Sequence, residues 1–379
     1  MSAPLNILLT NSTSIYGGGE YFVLEIARAL KGRGHHAWVS CRPDNLLYEK
    51  CLAAGIQVVP LEFPPSGRLI HFVSALTRAI RANNVQIVHT NSNYDRTAGA
   101  FAAWRAGVPH VTNVHSLHSI QHNLTHRIRN RSMTDRFLAD GVRMKELLVS
   151  HDGIPASKIS VFYHGIDPDA MRRDEHQRRN LRNQFGFSEE HVVVGNIARM
   201  VPMKGHADLI QAFALVGKRY PSARLVIVGD GELFEELKAR VRSLGIDGQT
   251  LFTGFREDLQ ALYSSFDIYA HSSVEGGGET ISFAVQQALA HELPVVVTRV
   301  GDVIENVREG INGFVVPDRN AQALADKIML LAGDPSLRHS MGKESRNYLL
   351  QRFTTEHMVS AVEEIYRNVL AARNNHLNI

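Results

Sequence analysis

Two cationic residues, Arg199 and Lys204, stand five positions apart just after the apolar run VVVGNI. Two cations held by a protein can stabilise the negative charge that grows on a phosphate leaving group as its bond breaks. That chemistry requires no metal ion. An isolated pair with this spacing is more often an ordinary pair on a solvated loop, so its role depends on the elements that hold it.

A glycine run, Gly17 to Gly19, lies between the apolar run NILLT and a helical pattern that begins near Tyr21. Glycines let the backbone approach a ligand, and a helix N-terminus offers unpaired N–H groups to phosphate. The spacing differs from G-x-G-x-x-G, which disfavours a nicotinamide-dependent enzyme. Two alternatives stay open: the run is an ordinary tight turn, and Glu20 is a carboxylate that stabilises the helix N-terminus.

Three histidines are spaced four residues apart, at 118, 122 and 126, and would share one face of a helix. Such spacing can bind zinc, but no nearby cysteine or carboxylate completes a ligand set, and the following RIRNR is cationic. We therefore predict no metal site, and instead a basic face for anionic groups. This face runs from His118 to Arg131 and includes Arg127, Arg129 and Arg131.

The elements that must position these residues alternate along the chain. Short β-branched or leucine-rich runs, from NILLT to HVTNVH and again from VVVGNIAR to GFVVP, are separated by amphipathic helical runs. This alternation is typical of βαβ units and predicts parallel sheets covered on both faces. The expected fold class is α/β, with two Rossmann-like, doubly wound parallel-sheet domains facing a central cleft, where the carboxyl ends of the strands bind ligands.

The domain boundary is predicted in the polar stretch MRRDEHQRRNLRNQFGFSEE, which has no buried-strand pattern. We place the N-terminal domain at 1–167, a linker at 168–187 and the C-terminal domain at 188–354. The last segment, 355–379, contains a helical run that follows a complete sheet, and we expect it to pack back on the N-terminal domain.

Composition narrows the class of protein. The 379 residues are 44% hydrophobic, enough for two ordinary cores, and the two cysteines suit a reducing compartment. No apolar run is long enough to cross a bilayer, so we expect a cytoplasmic protein. Residues 1–165 carry 17 Lys and Arg against 10 Asp and Glu, whereas the remainder carries 24 against 28. This asymmetry indicates peripheral contact with an anionic membrane or acceptor, or chance clustering on a solvated face.

Four separated stretches, NSTSIYGGGE, NVHSLH, NIARMVPMKG and EGGGETISF, follow predicted strands. Together with VIVGDGE, FTGF, ALYSSFDIYAHSS and AHELPVVV in that order, they resemble the retaining GT-B glycosyltransferases of family four. The resemblance covers nearly the whole chain and is strongest in the C-terminal half.

The resemblance implies transfer of a hexose-type sugar from a nucleoside diphosphate sugar, most commonly a UDP-sugar, to a hydroxyl acceptor. The acceptor would be a glycan or a lipid-linked molecule in cell-surface glycan, lipopolysaccharide or glycolipid synthesis. It implies a donor bound mainly by the C-terminal domain, an acceptor bound mainly by the N-terminal one, and no cofactor, metal ion or nucleic acid. On this resemblance, the D-x-D sequence at 167–169 belongs to the linker and does not bind a metal ion.

The family motif holds two glutamates eight residues apart, and counting back from Pro294 places them at Glu279 and Gln287. Another register would use Glu275. A glutamine amide can still accept a hydrogen bond from a ribose hydroxyl, so Gln287 is interpreted as a variant that keeps the contact without its charge. The residues expected in the site are Arg199, Lys204, Glu279 and His115 for catalysis; Gly18, Gly19, Arg256, Thr280, Ile281, Ser282, Phe283 and Gln287 for the donor; and Glu20, His118, Arg127 and Arg131 for the acceptor.

Two alternative functions remain open at this point. A nucleotide-sugar epimerase with the same fold would convert the donor without an acceptor. The second alternative is a subunit that binds sugar nucleotides without catalysing a reaction. It is favoured by Gln287, which stands where the family motif has a glutamate.

Overall fold

The computed structural model describes residues 3–14, 16–62 and 69–377, with side chains up to Arg373. The chain forms two compact units, one comprising Met1–Gly165 with Thr355–Ile379 and the other Ile166–Thr354. Each unit is built on one parallel sheet, so the predicted α/β class with two doubly wound domains is confirmed.

The first unit contains a seven-stranded sheet in the order β3-β2-β1-β4-β5-β6-β7, with every neighbouring pair parallel. Its central strands are buried on both faces, as the near-continuous apolar runs predict. The strands are β1 Asn6–Thr10, β2 His36–Cys41, β3 Gln57–Pro60, β4 Ile87–Thr90, β5 His110–Val114, β6 Arg136–Ala139 and β7 Ile159–Val161.

The described residues of this unit include seven α-helices. Most connect consecutive strands, while the last comes from the C-terminal end of the chain. They are α1 Gly18–Gly32, α2 Leu46–Ala53, α3 Leu69–Ala82, α4 Asn93–Ala106, α5 Leu124–Ile128, α6 Val142–Ser150 and, after the second unit, α14 Thr355–Leu377.

The second unit contains a six-stranded parallel sheet in the order β10-β9-β8-β11-β12-β13. Its strands are β8 Val192–Ile197, β9 Ala223–Val228, β10 Thr250–Gly254, β11 Ile268–His271, β12 Val295–Thr298 and β13 Gly313–Val316. Its helices are α7 Glu175–Gln184, α8 His206–Arg219, α9 Phe234–Ser243, α10 Leu259–Ser265, α11 Phe283–Ala290, α12 Ala321–Gly333 and α13 Pro335–Arg352.

The segment 168–187, predicted as a linker, contains helix α7 and belongs to the second unit. Arg178 Nη2 donates to Asp267 Oδ1 at 2.8 Å, and Arg182 Nη1 donates to Asp267 Oδ2 at 3.2 Å. Both arginines are buried. A linker was the wrong assignment because this helix is held largely by buried guanidinium groups, which an apolar periodicity does not reveal.

Helix α14 contacts several elements of the first unit. His35 Nε2 lies 2.6 Å from Glu363 Oε1, and the Tyr366 hydroxyl lies 2.7 Å from His89 Nδ1 on β4. Tyr366 is fully buried, so this helix completes the core of the unit. None of the helices in the described ranges combines the length and apolar character that a membrane span requires.

Candidate active site

An ion pair joins two predicted catalytic residues at the carboxyl edge of the second sheet. Lys204 Nζ donates to Glu279 Oε1, and Ser273 Oγ donates to the same oxygen at 2.8 Å. Lys204 lies in a short 3₁₀ turn after β8, whereas Ser273 and Glu279 follow β11. Since β8 and β11 are paired and parallel, the loops that leave them meet at one edge.

Gly205 permits this approach. It adopts φ +62°, and a Cβ built on it would lie 1.9 Å from the carbonyl oxygen of Ser272. A larger residue would push the lysine loop away from the loop after β11. The Ser272 hydroxyl also donates to the Lys204 carbonyl oxygen at 2.9 Å, which holds the two loops together.

Both members of the pair are largely removed from water, with side-chain exposures of 18% for Lys204 and 11% for Glu279. Burial alone would raise the pKa of Glu279, but the charge of Lys204, with hydrogen bonds from Lys204 and Ser273, holds it below its ordinary value. Burial lowers the pKa of His271 to about 4, and it lowers the pKa of His206 to about 4 with help from Lys204. The pair is therefore the charged centre of an otherwise neutral buried cluster at neutral pH.

Arg199 is exposed on the same loop as Lys204. Met200 beside it is fully buried, and its backbone N–H donates to the Asp230 carbonyl at 2.8 Å. The loop is thus anchored between the two cations while the Arg199 guanidinium reaches solvent.

The residues after Glu279 lead into helix α11. Ser282 is its N-cap, accepting from the Val285 backbone N–H at 3.4 Å, so Thr280 and Ile281 precede the helix N-terminus. Both of these are buried, so any contact of Ile281 with a ligand would be through its backbone. Gln287 is buried within the helix, eight residues beyond Glu279.

The structure favours the register that uses Glu279. Glu275 is exposed, and its backbone N–H donates to Asp318 Oδ2 at 3.0 Å. It is Glu279 that contacts Lys204.

Arg256 is placed apart from this pair. It follows β10, which is separated from β8 by β9, and its Nε donates to Asp258 Oδ1 at 2.7 Å. Its guanidinium carbon also lies 5.7 Å from the centre of the Phe185 ring. Its contact with the donor stays a prediction.

In the first unit, Gly18 and Gly19 form the first turn of α1, and a Cβ on Gly19 would lie 3.7 Å from His115 Cδ2. Glu20 accepts from the Gly17 backbone N–H at 2.8 Å and from Asn11 Nδ2 at 2.9 Å. Its carboxylate therefore shapes the glycine loop, which supports the helix N-terminus interpretation given above. An acceptor contact by Glu20 stays a prediction.

His115 belongs to a cluster that sequence reasoning missed. Asp140 Oδ2 lies 2.7 Å from His115 Nδ1 and 2.8 Å from His164 Nε2. The three residues follow β5, β6 and β7, which are adjacent in the sheet. Strand order was the only available signal, since each residue is isolated in sequence.

The predicted three-histidine helix face is wrong. Helix α5 covers only Leu124–Ile128, and His118 lies on the loop before it. Asp152 accepts from Ser119 Oγ and from the Ile120 backbone N–H, which fixes this segment as a loop.

Arg129 was also wrongly assigned to the basic face. It is buried, and it donates to the Ile120 carbonyl at 2.6 Å and to Thr97 Oγ1 at 2.9 Å. Its guanidinium holds the loop instead of meeting a partner. His118, Arg127 and Arg131 are exposed, so their contact with the acceptor stays a prediction.

The D-x-D segment forms a local turn. Asp167 Oδ1 accepts from the backbone N–H groups of Asp169 at 2.9 Å and of Ala170 at 3.1 Å. The Asp167 carboxylate therefore stabilises a turn at the start of the second unit.

The chain matches two protein-family models in its two halves. Residues 16–170 match the one described as "Glycosyltransferase Family 4", and residues 177–348 match "Glycosyl transferases group 1". The chain belongs to the family-four glycosyltransferases and is an enzyme of that kind, as the resemblance in sequence predicts.

Individual relatives agree with this membership. N-acetyl-alpha-D-glucosaminyl L-malate synthase of Bacillus anthracis is 25% identical over 93% of this chain and 94% of its own length. A GDP-mannose-dependent alpha-(1-6)-phosphatidylinositol monomannoside mannosyltransferase of Mycobacterium tuberculosis is 28% identical over 58% of each chain.

Solved structures share the GT-B fold. Anabaena Alr3699/HepE in complex with UDP superposes with a TM-score of 0.86, at 24% identity, over 96% of this chain and 100% of that one. A glycosyltransferase from Rickettsia africae gives a TM-score of 0.87, at 21% identity, over 97% and 99%.

We expect the contribution of Glu279 to folding stability to depend on pH. The folded state lowers its pKa, so the stabilisation is fully present above the unfolded value, about 4.3, and is lost as pH falls through the lower folded value. Glu279→Gln should cost about 1.5–3 kcal/mol at pH 7. That difference should shrink as the pH falls below about 4.

Urea unfolding of both proteins at several pH values measures this difference. Glu235→Gln is the control, because Glu235 is exposed and lies 3.8 Å from Lys238, so its substitution should change little at any pH. A Glu279→Gln deficit that stays constant down to pH 3 would mean that the ion pair is not its cause.

Proposed function

We propose that this chain transfers a hexose-type sugar from a nucleoside diphosphate sugar, preferably a UDP-sugar, to a hydroxyl acceptor with retention of configuration. The observation that carries the proposal is the position of Lys204, held by Glu279 at the carboxyl edge of a parallel sheet and beside an exposed Arg199. Ligands of doubly wound sheets bind at this edge. UDP in the complex of the Anabaena neighbour supports a uridine donor.

Leaving-group stabilisation is the chemistry these residues are suited to. An ammonium has three donors, so Lys204 can keep its bond to Glu279 while it donates to a phosphate oxygen. Arg199 supplies a second cation from the same loop. The N-terminus of α11 adds a favourable helix dipole for the diphosphate. These groups act most strongly where charge develops, so they accelerate bond cleavage without a metal ion or a cofactor.

Glu279 has two tasks in this scheme. It fixes the lysine ammonium in place. We also infer that its carboxylate contacts the transferred sugar. In the first unit, His115 is the group that would orient a hydroxyl of a bound sugar. The acceptor is then bound mainly by the first unit, and the product is a cell-surface glycan, a lipopolysaccharide or a glycolipid.

Release of nucleoside diphosphate tests the function directly. A transferase releases it in proportion to added acceptor and forms one glycoside product per molecule released. An epimerase would convert the donor sugar with no acceptor present, and a silent subunit would bind the nucleotide sugar without turnover. Either result would contradict the proposal.

Arg199→Ala and Lys204→Ala should each lower kcat about 10²-fold or more. The reason is that the negative charge on the leaving diphosphate is larger in the transition state than in the bound donor. Donor affinity should fall much less. Initial rates and calorimetric titration with nucleoside diphosphate measure the two effects separately. Lys238→Ala, which removes another cation of the same unit, is the control and should change neither. Equal losses in rate and in affinity would contradict the assigned role.

Gln287→Glu should tighten binding of the nucleoside diphosphate several-fold, because a carboxylate forms stronger bonds with ribose hydroxyls than an amide does. The expected gain is about 1 kcal/mol. Turnover should change little, since the ribose is remote from the breaking bond. Gln351→Glu gives the same change in charge at an exposed position and should leave binding unchanged. Weaker binding or an inactive enzyme would show that Gln287 does not face the ribose.

An exposed basic and apolar surface on the first unit suits a membrane-bound acceptor. Leu124, Arg127, Ile128 and Arg131 follow one helical spacing, and all four are exposed, with Leu124 71% and Ile128 44% accessible. Cations beside exposed apolar side chains are typical of peripheral contact with anionic lipid. We include this contact in the proposal, with the enzyme acting at an anionic membrane surface.

Binding to phosphatidylglycerol-containing vesicles should rise with the anionic fraction and fall with salt. Replacing both Arg127 and Arg131 with glutamine should weaken binding about 30-fold, since each nearby cation contributes about 1 kcal/mol and two contribute about 2 kcal/mol. The control replaces Arg240 and Arg242, which lie exposed on the second unit, and makes the same change in net charge. If both double variants lose the same vesicle affinity, the loss is due to net charge alone. That result would contradict a specific membrane contact by this surface.

A further inference from the structure

The cluster of Asp140 with His115 and His164 has a defined geometry. One carboxylate oxygen, Asp140 Oδ2, lies 2.7 Å from His115 Nδ1 and 2.8 Å from His164 Nε2. The two imidazole rings stack, with centroids 5.4 Å apart and planes inclined by 26°. A carboxylate only accepts hydrogen bonds, so both rings donate to it.

The three side chains differ in their access to solvent. Asp140 is 1% exposed and His164 is 3% exposed, whereas His115 is 18% exposed. The Phe22 ring packs within 5.5 Å of His115 and 5.0 Å of His164, measured between centroids. His115 is the most exposed of the three side chains and lies beside the glycine loop, although its Nε2 atom is itself buried, so Asp140 and His164 act on a ligand only through His115.

The hydrogen bond from Asp140 selects one form of His115. With Nδ1–H donated to Asp140, any hydrogen bond from this ring to a ligand must involve Nε2. In the neutral ring, Nε2 is an acceptor that can receive a sugar hydroxyl proton. The ring of a histidine without such a partner is able to turn and to exchange tautomers.

The charge of Asp140 is stabilised by these two rings. Burial alone would raise its pKa, but His164 and His115, by charge and by hydrogen bonds, lower the pKa well below its usual range. Among the described residues, His89 on β4 couples electrostatically to both His115 and Asp140, and Tyr366 on α14 contacts His89. Burial lowers the pKa of His89 to about 4, so it is neutral at neutral pH. Helix α1 contributes the uncharged Phe22.

We propose that Asp140 and His164 are positioning residues, which hold His115 in the Nδ1–H form so that Nε2 is directed to a substrate hydroxyl. The consequence for catalysis rests on the proposed sugar transfer. The protonation of His115 at Nδ1 does not rest on the proposed function, because it follows from the contacts alone.

A metal ion is the competing occupant of this cluster. The ligand atoms of the three residues all lie within 4.8 Å of one another. Ligands bound to zinc at about 2.0–2.1 Å in a tetrahedral site stand about 3.3 Å apart. The 2.7 and 2.8 Å separations are those of hydrogen bonds, so the geometry points to protons between these atoms.

Nitrogen NMR of histidine-labelled protein tests the selected form. In the native protein, the His115 ring should show a protonated Nδ1 across neutral pH. In Asp140→Asn, which offers an amide in place of the carboxylate, this signature should be lost. Asp152→Asn removes an equally buried carboxylate that bonds to Ser119 and Ile120, and it should leave the His115 signals unchanged.

Kinetics test the consequence. Asp140→Asn should lower kcat about 10-fold to 100-fold, because a misdirected catalytic group can cost about 10²-fold, and it should shift the pH–rate profile while the KM for the donor changes little. His164→Gln should produce a smaller loss with a shift in the same profile. Asp152→Asn should leave the pH profile unchanged.

The outcomes separate this proposal from others. An unchanged His115 signature in Asp140→Asn overturns it, and so does a rate loss that matches a fall in melting temperature with no change in the pH profile. Stoichiometric binding of zinc by the native protein that is lost in Asp140→Asn and His164→Gln also overturns it in favour of a metal site. If no acceptor supports turnover, the proposed function fails, while the NMR comparison still decides the form of His115.

Discussion

The ion pair between Lys204 and Glu279 depends on one constraint, the parallel pairing of β8 with β11. Parallel neighbours end at the same edge of the sheet, so the loops that follow them converge although their residues are 75 positions apart. Gly205 then allows the two backbones to touch. The rest of the second unit supplies a rigid base for this contact, with buried strands on either side.

The first unit uses the same constraint for a different purpose. Adjacent strands β5, β6 and β7 deliver His115, Asp140 and His164 to one place. In the second unit, a buried carboxylate fixes a lysine ammonium; in the first, a buried carboxylate fixes an imidazole. In each case one oxygen receives more than one donor, so the functional group is held by a carboxylate that is more deeply buried than the group itself.

Much of the fold could be predicted because its signals are local. Alternation of apolar runs with helical patterns indicates parallel sheets, and the Glu279 motif with its register to Pro294 identifies the loop before α11. The pairing of Lys204 with Glu279 could not be predicted, since it depends on strand order. The same is true of Asp140 and His164.

Buried arginines account for two of the wrong assignments, the linker and the basic role of Arg129. Arg178 and Arg182 hold helix α7 in a stretch that looks like a charged linker, and Arg129 holds a loop in a stretch that looks like a basic face. A guanidinium presents five donors to carbonyls and carboxylates, so it can replace an apolar anchor without leaving an apolar pattern. Charge in a sequence therefore does not indicate exposure in such segments.

A crystal structure of this chain with uridine diphosphate bound would test the central claim most directly, namely that the loops joined by Lys204 and Glu279 form the donor site. The diphosphate should lie within hydrogen-bonding distance of Lys204 Nζ, with the N-terminus of α11 facing its oxygens and Arg199 folded toward it. A diphosphate bound elsewhere, with the Lys204–Glu279 pair untouched, would contradict the claim.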